Sequence, residues 1–251
     1  MKEMKIGIQL YTIREVLRQN FKDVCRDLVR LGCDAVEPAF YFGDMEPLEL
    51  AAFFREIGLV VCGIHTSAAE AVDPESMAYR YAEALEAPHI TFSRCDRNVT
   101  DYRLLLDETI RLCRLAGQAA AAHGILFTYH NHAGEFLPLP EGDCAFDRLM
   151  AACDPVEVSG ELDVYWVKKA GGDPIAYLER YGARLPQLHM KDMSPDGDFT
   201  ELGKGIIDLP GCVSAARKTA CEWLIYEQDC CQGAPFDSAV TSLEYLRKIN
   251  R

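Results

Sequence analysis

The run Thr128-Tyr-His-Asn-His-Ala-Gly-Glu-Phe136 places two imidazoles and a carboxylate close together, directly after the apolar residues Ile125 to Phe127. On a strand, residues two apart share a face. His130 and His132 can therefore converge on one point, and Glu135 can reach back from the following loop. Imidazole and carboxylate together suit a divalent cation. Three later apolar runs end in the same kinds of residue, Asp163, His189 and Glu227, and two earlier ones end in Glu37 and His65. The three later strand ends are expected to meet the His130 to Glu135 stretch at one metal.

Something has to bring them there. Short apolar runs at Lys5 to Leu10, Ala35 to Glu37, Val60 to Ile64, His89 to Phe92, Ile125 to Tyr129, Val156 to Leu162, Leu185 to His189 and Trp223 to Tyr226 read as strands. Helix-period segments alternate with them: Ile13 to Leu31, Pro47 to Ile57, Asp73-Pro74 to Leu85, Asp101 to His123, Ala145 to Ala152, Asp173-Pro174 to Tyr181, Leu209 to Thr219 and Phe236 to Ile249. Short strands without polar alternation are those of a parallel sheet covered on both faces. Eight strand–helix pairs without a linker predict an α/β fold, a closed (β/α)8 TIM barrel forming one domain over residues 1–251. An open doubly wound sheet fits less well, because no glycine-rich nucleotide turn follows the first strand. In such barrels the chemistry sits at the C-terminal strand ends, where Glu37, His65, His130 to Glu135, Asp163, His189 and Glu227 fall.

Composition narrows the function classes. A formal net charge of −13 argues against a protein that neutralises nucleic-acid phosphates. No apolar run approaches the ~20 residues that span a bilayer. The 11 cysteines show no disulfide spacing and read as reduced thiols of a cytoplasmic protein. The expected partner is a small sugar, with neither nucleic acid nor membrane involved. His89 and His123 precede strands and read as structural. The Gly203-Lys-Gly205 turn reads either as a phosphate cradle or as a mobile loop over the pocket.

Several stretches resemble the sugar phosphate isomerase/epimerase group of xylose isomerase-like barrels, which also includes inositol-catabolism enzymes and is related to endonuclease IV. They are Tyr129-His-Asn-His-Ala-Gly-Glu-Phe136, Leu162-Asp-Val-Tyr-Trp-Val167 with Ala170-Gly-Gly-Asp-Pro174, Leu188-His-Met-Lys-Asp192, Gly203-Lys-Gly-Ile-Ile-Asp208 and Tyr226-Glu-Gln228. The resemblance implies one divalent metal ion, manganese first and otherwise zinc, cobalt or magnesium. It implies ligands from strands five to eight: Glu135 or a neighbour, Asp163, His189 and Glu227. Many members carry a glutamate at the end of strand five, where this chain has Tyr129-His130, so His130 and His132 stay open beside Glu135. Glu135 is preferred because an oxygen-rich site suits manganese or magnesium. Members of this group are often dimers or tetramers, which leaves room for a homo-oligomer.

The implied activity is a metal-dependent isomerase or epimerase acting on a sugar, keto-sugar or inositol derivative. A Lewis acid polarises a carbonyl, and the proton on the adjacent carbon becomes removable. Loss of a β-oxygen from the same intermediate would make a lyase or dehydratase. A non-catalytic sugar-binding subunit and an endonuclease IV-like nuclease are the remaining classes. His130, His132, Glu135 and Glu227 are the candidate bases, and Lys191 the candidate oxyanion or substrate contact. Glu37, His65 and Trp166 are the candidate substrate-binding residues, with Tyr165 packed beside them.

Overall fold

The computed structural model describes residues 3–94 and 103–251. Eight barrel strands follow in chain order: β1 (Lys5–Gln9), β2 (Ala35–Glu37), β3 in two pieces (Val60–Val61 and Ile64–His65), β4 (His89–Ser93), β5 (Leu126–His130), β6 (Val158–Asp163), β7 (Gln187–Met190) and β8 (Trp223–Tyr226). All pairings between them are parallel, and β1 joins both β2 and β8. The first piece of β3 pairs with β2 and the second with β4, so β3 joins the two ends of the sheet and the barrel closes. The break falls at Cys62-Gly63. A Cβ on Gly63 would lie 2.8 Å from Glu37 Oε1, so the buried carboxylate requires a glycine beside it.

Most of the apolar core lies between the strands and the surrounding helices. The barrel interior holds its own small apolar plug, Ala35, Cys62, Trp223 and Ile225. The next layer is polar. Gln187 Nε2 donates to Thr91 Oγ1 at 3.3 Å, Thr128 Oγ1 at 3.2 Å and Glu161 Oε1 at 2.5 Å. Buried polar groups at this depth have to be paired with one another, and this layer is the floor on which the strand ends rest.

The expected strands all form, with small shifts at their ends. Asp73-Pro74 does not start its helix. Asp73 Oδ1 caps only a local turn through Glu75 N, at 3.0 Å, and the helix runs from Met77 to Ala84. A short helix, Val164–Lys169, follows β6 directly, and Asp163 caps it. The expected helix start at Asp101 lies outside the described residues; within them Arg103–Ala122 is helical. The described cysteines are all free thiols. Among the described residues no helix is long and apolar enough to cross a membrane.

Candidate metal centre

The strand ends deliver a compact, buried set of ionisable groups. His130 closes β5, Asp163 closes β6, His189 sits within β7, and Glu227 follows β8. One donor atom from each lies within 4.8 Å of the others. Asn131 steadies this side of the mouth. Its Oδ1 accepts from Asp163 N at 3.0 Å and its Nδ2 donates to Asp163 O at 3.3 Å, extending the β5–β6 contact past the strand end.

Asp163 divides its carboxylate. Oδ1 accepts from Trp166 N at 3.0 Å and caps the short helix. Oδ2 is buried without an aligned hydrogen bond. Its neighbours are Lys191 Nζ at 3.0 Å and His130 Nε2 at 3.9 Å. A buried carboxylate oxygen needs a positive partner; Lys191 supplies one, and a metal ion held with His130 would be a second. Two imidazoles and two carboxylates are a suitable donor set for a divalent first-row metal, so these residues fit the expected ion.

Lys191 is the other cation of the site and is 1 % exposed. Its Nζ lies 2.7 Å from Glu227 Oε2, 2.8 Å from Asp229 Oδ2 and 3.0 Å from Asp163 Oδ2. Burial disfavours its charged form, but Asp163, Glu227 and Asp229 outweigh burial and hold its pKa well above the ordinary lysine range. Burial likewise opposes ionised Glu227, and Lys191 and His189 overcome it, keeping that carboxyl well below the usual range. Lys191 is therefore a fixed positive charge and Glu227 a fixed negative one at neutral pH.

Beneath these groups lies a second layer. His65 Nε2 meets Glu161 Oε2 at 2.5 Å, His130 Nδ1 meets the same oxygen at 3.1 Å, and His189 Nε2 lies 2.8 Å from Glu37 Oε2. His65, His130, Glu161 and His189 also meet the distance condition for sharing an ion. Burial pulls His130 down to about 3, whereas Glu161 and Glu37 carry His189 and His65 upward against burial. Burial and the neighbouring Glu161 push Glu37 up to about 7.

The expected site residues sort clearly. His130, Asp163, His189, Glu227 and Lys191 come together. Glu135, the expected strand-five ligand and a candidate base, does not join this group. Its Oε1 accepts from Tyr129 OH at 2.7 Å and its Oε2 from His132 N at 3.2 Å. Tyr129 points away from the barrel axis, and Phe136 packs on Phe146 and Tyr177 at centroid distances of 5.0 and 4.8 Å. That packing draws the Gly134–Phe136 turn outward. Glu37 is fully buried, accepts from Gln9 Nε2 at 2.8 Å and lies under His189, so it braces an imidazole instead of lining the pocket. His65 and His132 do reach the pocket, a cleft of about 310 Å³ that also touches His130, Glu227 and Phe40. Trp166 packs against His132 with the rings tilted by 47° and centroids 5.2 Å apart, and lies under the Lys191 ammonium at 5.5 Å.

Gly203-Lys-Gly205 is no phosphate cradle. Its N–H groups already serve a carboxylate: Asp192 Oδ2 accepts from Gly203 N at 2.9 Å and Gly205 N at 3.0 Å, and Oδ1 from Ile207 N at 3.2 Å. A Cβ on Gly205 would lie 2.2 Å from Asp192 Oδ1 and 2.3 Å from Met193 O. Gly205→Ala is expected to cost about 1–3 kcal/mol, the usual range for forced overpacking. Chemical denaturation of the two proteins would measure it.

Glu161, Gln187 and Asp229 were not singled out from sequence. Each lies two residues from one that was, on the same side of the same chain segment: Glu161 before Asp163, Gln187 before His189, Asp229 after Glu227. The period-two spacing was the available signal.

A sequence model of the xylose isomerase-like TIM barrel family matches residues 25–249. Inosose dehydratase from Lacticaseibacillus casei is 27 % identical over 182 residues, 64 % of this chain and 56 % of that protein. Inosose dehydratase from Geobacillus kaustophilus is 30 % identical over 159 residues, 53 % of this chain and 51 % of that protein. The chain thus spans about half the length of the curated relatives it matches. Among solved structures, a sugar phosphate isomerase/epimerase from Parabacteroides distasonis superposes with a TM-score of 0.84 at 18 % identity, covering 100 % of this chain and 96 % of that one. IolI with a bound zinc atom superposes with a TM-score of 0.75 at 15 % identity, covering 98 % of each chain. At those identities the superpositions speak for the fold. With a family match over nearly all its length and the closed barrel that family is named for, the chain belongs to the xylose isomerase-like TIM barrel family.

Proposed function

We propose that the protein is a metal-dependent isomerase or epimerase that removes a proton from the carbon beside a carbonyl of a sugar, keto-sugar or inositol derivative. The reading is carried by one observation. The pocket is flanked by two proton-accepting groups from separated strands, Glu227 after β8 and His132 after β5, with the Lys191 ammonium fixed behind Glu227. Strands β5 and β8 are separated by β6 and β7 in the sheet. Groups so placed approach a bound sugar from different sides, which is what inversion at one carbon needs.

His130, Asp163, His189 and Glu227 would hold the divalent cation, manganese first and otherwise zinc, cobalt or magnesium. Bound there, the ion supplies Lewis acidity toward the substrate's carbonyl oxygen. Glu227 uses Oε2 for His189 and Lys191, which leaves Oε1 to take or return a proton. His132 Nδ1 is buried without a partner. Burial, with His130 and Lys191 nearby, holds the His132 ring well below the ordinary histidine range. It therefore enters the cycle neutral, able to accept a proton. Lys191 keeps its charge behind Glu227 and favours negative charge developing in the pocket through its field.

A second reading is a lyase, favoured by the relatives named inosose dehydratase. Both readings share the first proton transfer and part at its fate. The test is incubation with Mn2+ and a panel of keto-sugars and inosose in heavy water, followed by proton NMR. Deuterium at the carbon next to the carbonyl, with an inverted or isomerised product, is expected. Deuterium-free recovery of every substrate would overturn the proposal. Loss of water with a new carbon–carbon double bond would select the lyase.

A further inference from the structure

His130 and His189 each show their two nitrogens to opposite layers. His130 Nδ1 faces Glu161 Oε2 at 3.1 Å, and its Nε2 faces Asp163 Oδ2 at 3.9 Å. His189 Nε2 faces Glu37 Oε2 at 2.8 Å and Glu161 Oε1 at 3.2 Å, and its Nδ1 faces Glu227 Oε2 at 2.8 Å. A neutral imidazole that ligates through one nitrogen carries its proton on the other, and that N–H needs an acceptor.

Glu161 and Asp163 differ in what their carboxylates already bind. In the lower one, Glu161 Oε1 takes a hydrogen bond from Gln187 Nε2, and Oε2 meets His65 and His130. Gln187 is itself held by Thr91 and Thr128, so Glu161 cannot swing away. In the upper layer, Asp163 Oδ2 has the Lys191 ammonium at 3.0 Å but no aligned hydrogen bond. Glu37 Oε1 and Gln187 Oε1 of the lower layer also lack a hydrogen-bond partner, so the built acceptor is Glu161 itself, with both oxygens engaged, and the open ligand is Asp163.

We propose that Glu161, with Glu37 beside it, is a positioning residue that takes the far N–H groups of His130 and His189 and so presents His130 Nε2 and His189 Nδ1 to the metal. The proposal rests on the reading that the upper group holds a divalent ion. It also assigns Glu161 a role that leaves it out of the ion's own ligands, although it lies in a group able to hold one. The second carboxylate of the Glu161-Leu-Asp163 segment then explains how a histidine can stand at the end of β5. A neutral imidazole there needs a buried acceptor behind it, and β6 supplies one two residues before its ligand.

The test uses the full chain, Co2+ alone as probe, and the variants Glu161→Gln and Glu161→Asp. Binding is read by titration, and the ligated imidazoles by the exchangeable, paramagnetically shifted N–H signals in proton NMR. Glu161→Gln is expected to keep one Co2+ per chain at roughly 10–100-fold lower affinity, the usual effect of removing a partner behind a ligating histidine. Its His130 N–H signal is expected to shift or exchange rapidly, and Glu161→Asp to recover part of the affinity. Native affinity with both signals unmoved in Glu161→Gln would overturn the proposal. So would loss of all Co2+ in Glu161→Gln with full retention in Asp163→Asn, because Glu161 would then be a ligand. If Glu161→Gln does not fold, Glu37→Gln carries the test, with the His189 signal expected to move and the His130 signal to stay. A native protein that takes up no Co2+ would fail at the earlier step and overturn the metal reading together with this one.

Discussion

Asp163→Asn is expected to lower divalent-metal affinity at least a hundredfold and turnover roughly a thousandfold, a loss of about 4 kcal/mol of transition-state stabilisation. The substitution separates two roles of one side chain. Oδ1 caps the Val164–Lys169 helix through Trp166 N, and asparagine caps as well as aspartate does. Oδ2 is the buried oxygen without an aligned partner, and an amide in its place removes the negative charge. The unfolding temperature without metal is therefore expected to fall by only a few degrees. The same carboxyl predicts a pH dependence. Burial pushes it up to about 6, against the pull of Lys191. A proton must leave before an ion can bind, so metal affinity in the native protein is expected to drop as the pH falls through about 6. In Asp163→Asn that step is expected to disappear. Metal titrations of both proteins between pH 5 and 8 would show it. Unchanged metal occupancy in the variant would remove Asp163 from the ligand set.

The barrel was legible because each strand is a short apolar run set off by a helix-period segment. The ends of these strands could therefore be located to within a residue or two. Asp163, His189 and Glu227 followed, since they stand where the apolar pattern stops. Glu135 stands outside the cluster for a physical reason. Its distance from His130 is compatible with reaching back to the mouth, but the direction of the turn is set by Phe136 seeking Phe146 and Tyr177 across the helix layer. Nothing local to the motif encodes that contact. Gly203-Lys-Gly205 shows the same limit. Two glycines offer free N–H groups only until something claims them, and Asp192, more than ten residues earlier in the chain, does so. Glu161 and Gln187 were readable in principle. Each shares a strand face with a residue already picked out, and a barrel filled from alternate positions makes the residue two places earlier the next one down the axis.

Lys191→Met is expected to destabilise the metal-free protein by about 3–5 kcal/mol, the usual cost of removing one partner from a buried ionic cluster. In a chain of this size that corresponds to a fall in unfolding temperature of roughly 6–20 °C. Methionine fills much of the same volume, so the loss measures charge more than packing. Asp163, Glu227 and Asp229 would face one another without the ammonium that now lies within 3.0 Å of all three. The sign of the pH response follows. In the native protein Lys191 and His189 hold the Glu227 carboxyl well below the usual range, so its contribution to stability is present at neutral pH and is lost only on strong acidification. In the variant the carboxyls of Asp163 and Asp229, already raised by burial, rise further and Glu227 rises with them, the folded state binds the extra protons, and stability falls as pH increases. The deficit is therefore expected to be larger at pH 8 than at pH 5. A divalent cation neutralises the same carboxylates, so saturating Mn2+ is expected to recover a good part of the lost stability through preferential binding to the folded state. Calorimetric unfolding at both pH values, with chelator and then with Mn2+, would measure all three effects. A variant as stable as the native protein at pH 8 in chelator would mean that Lys191 is not the counter-charge on which these carboxylates depend.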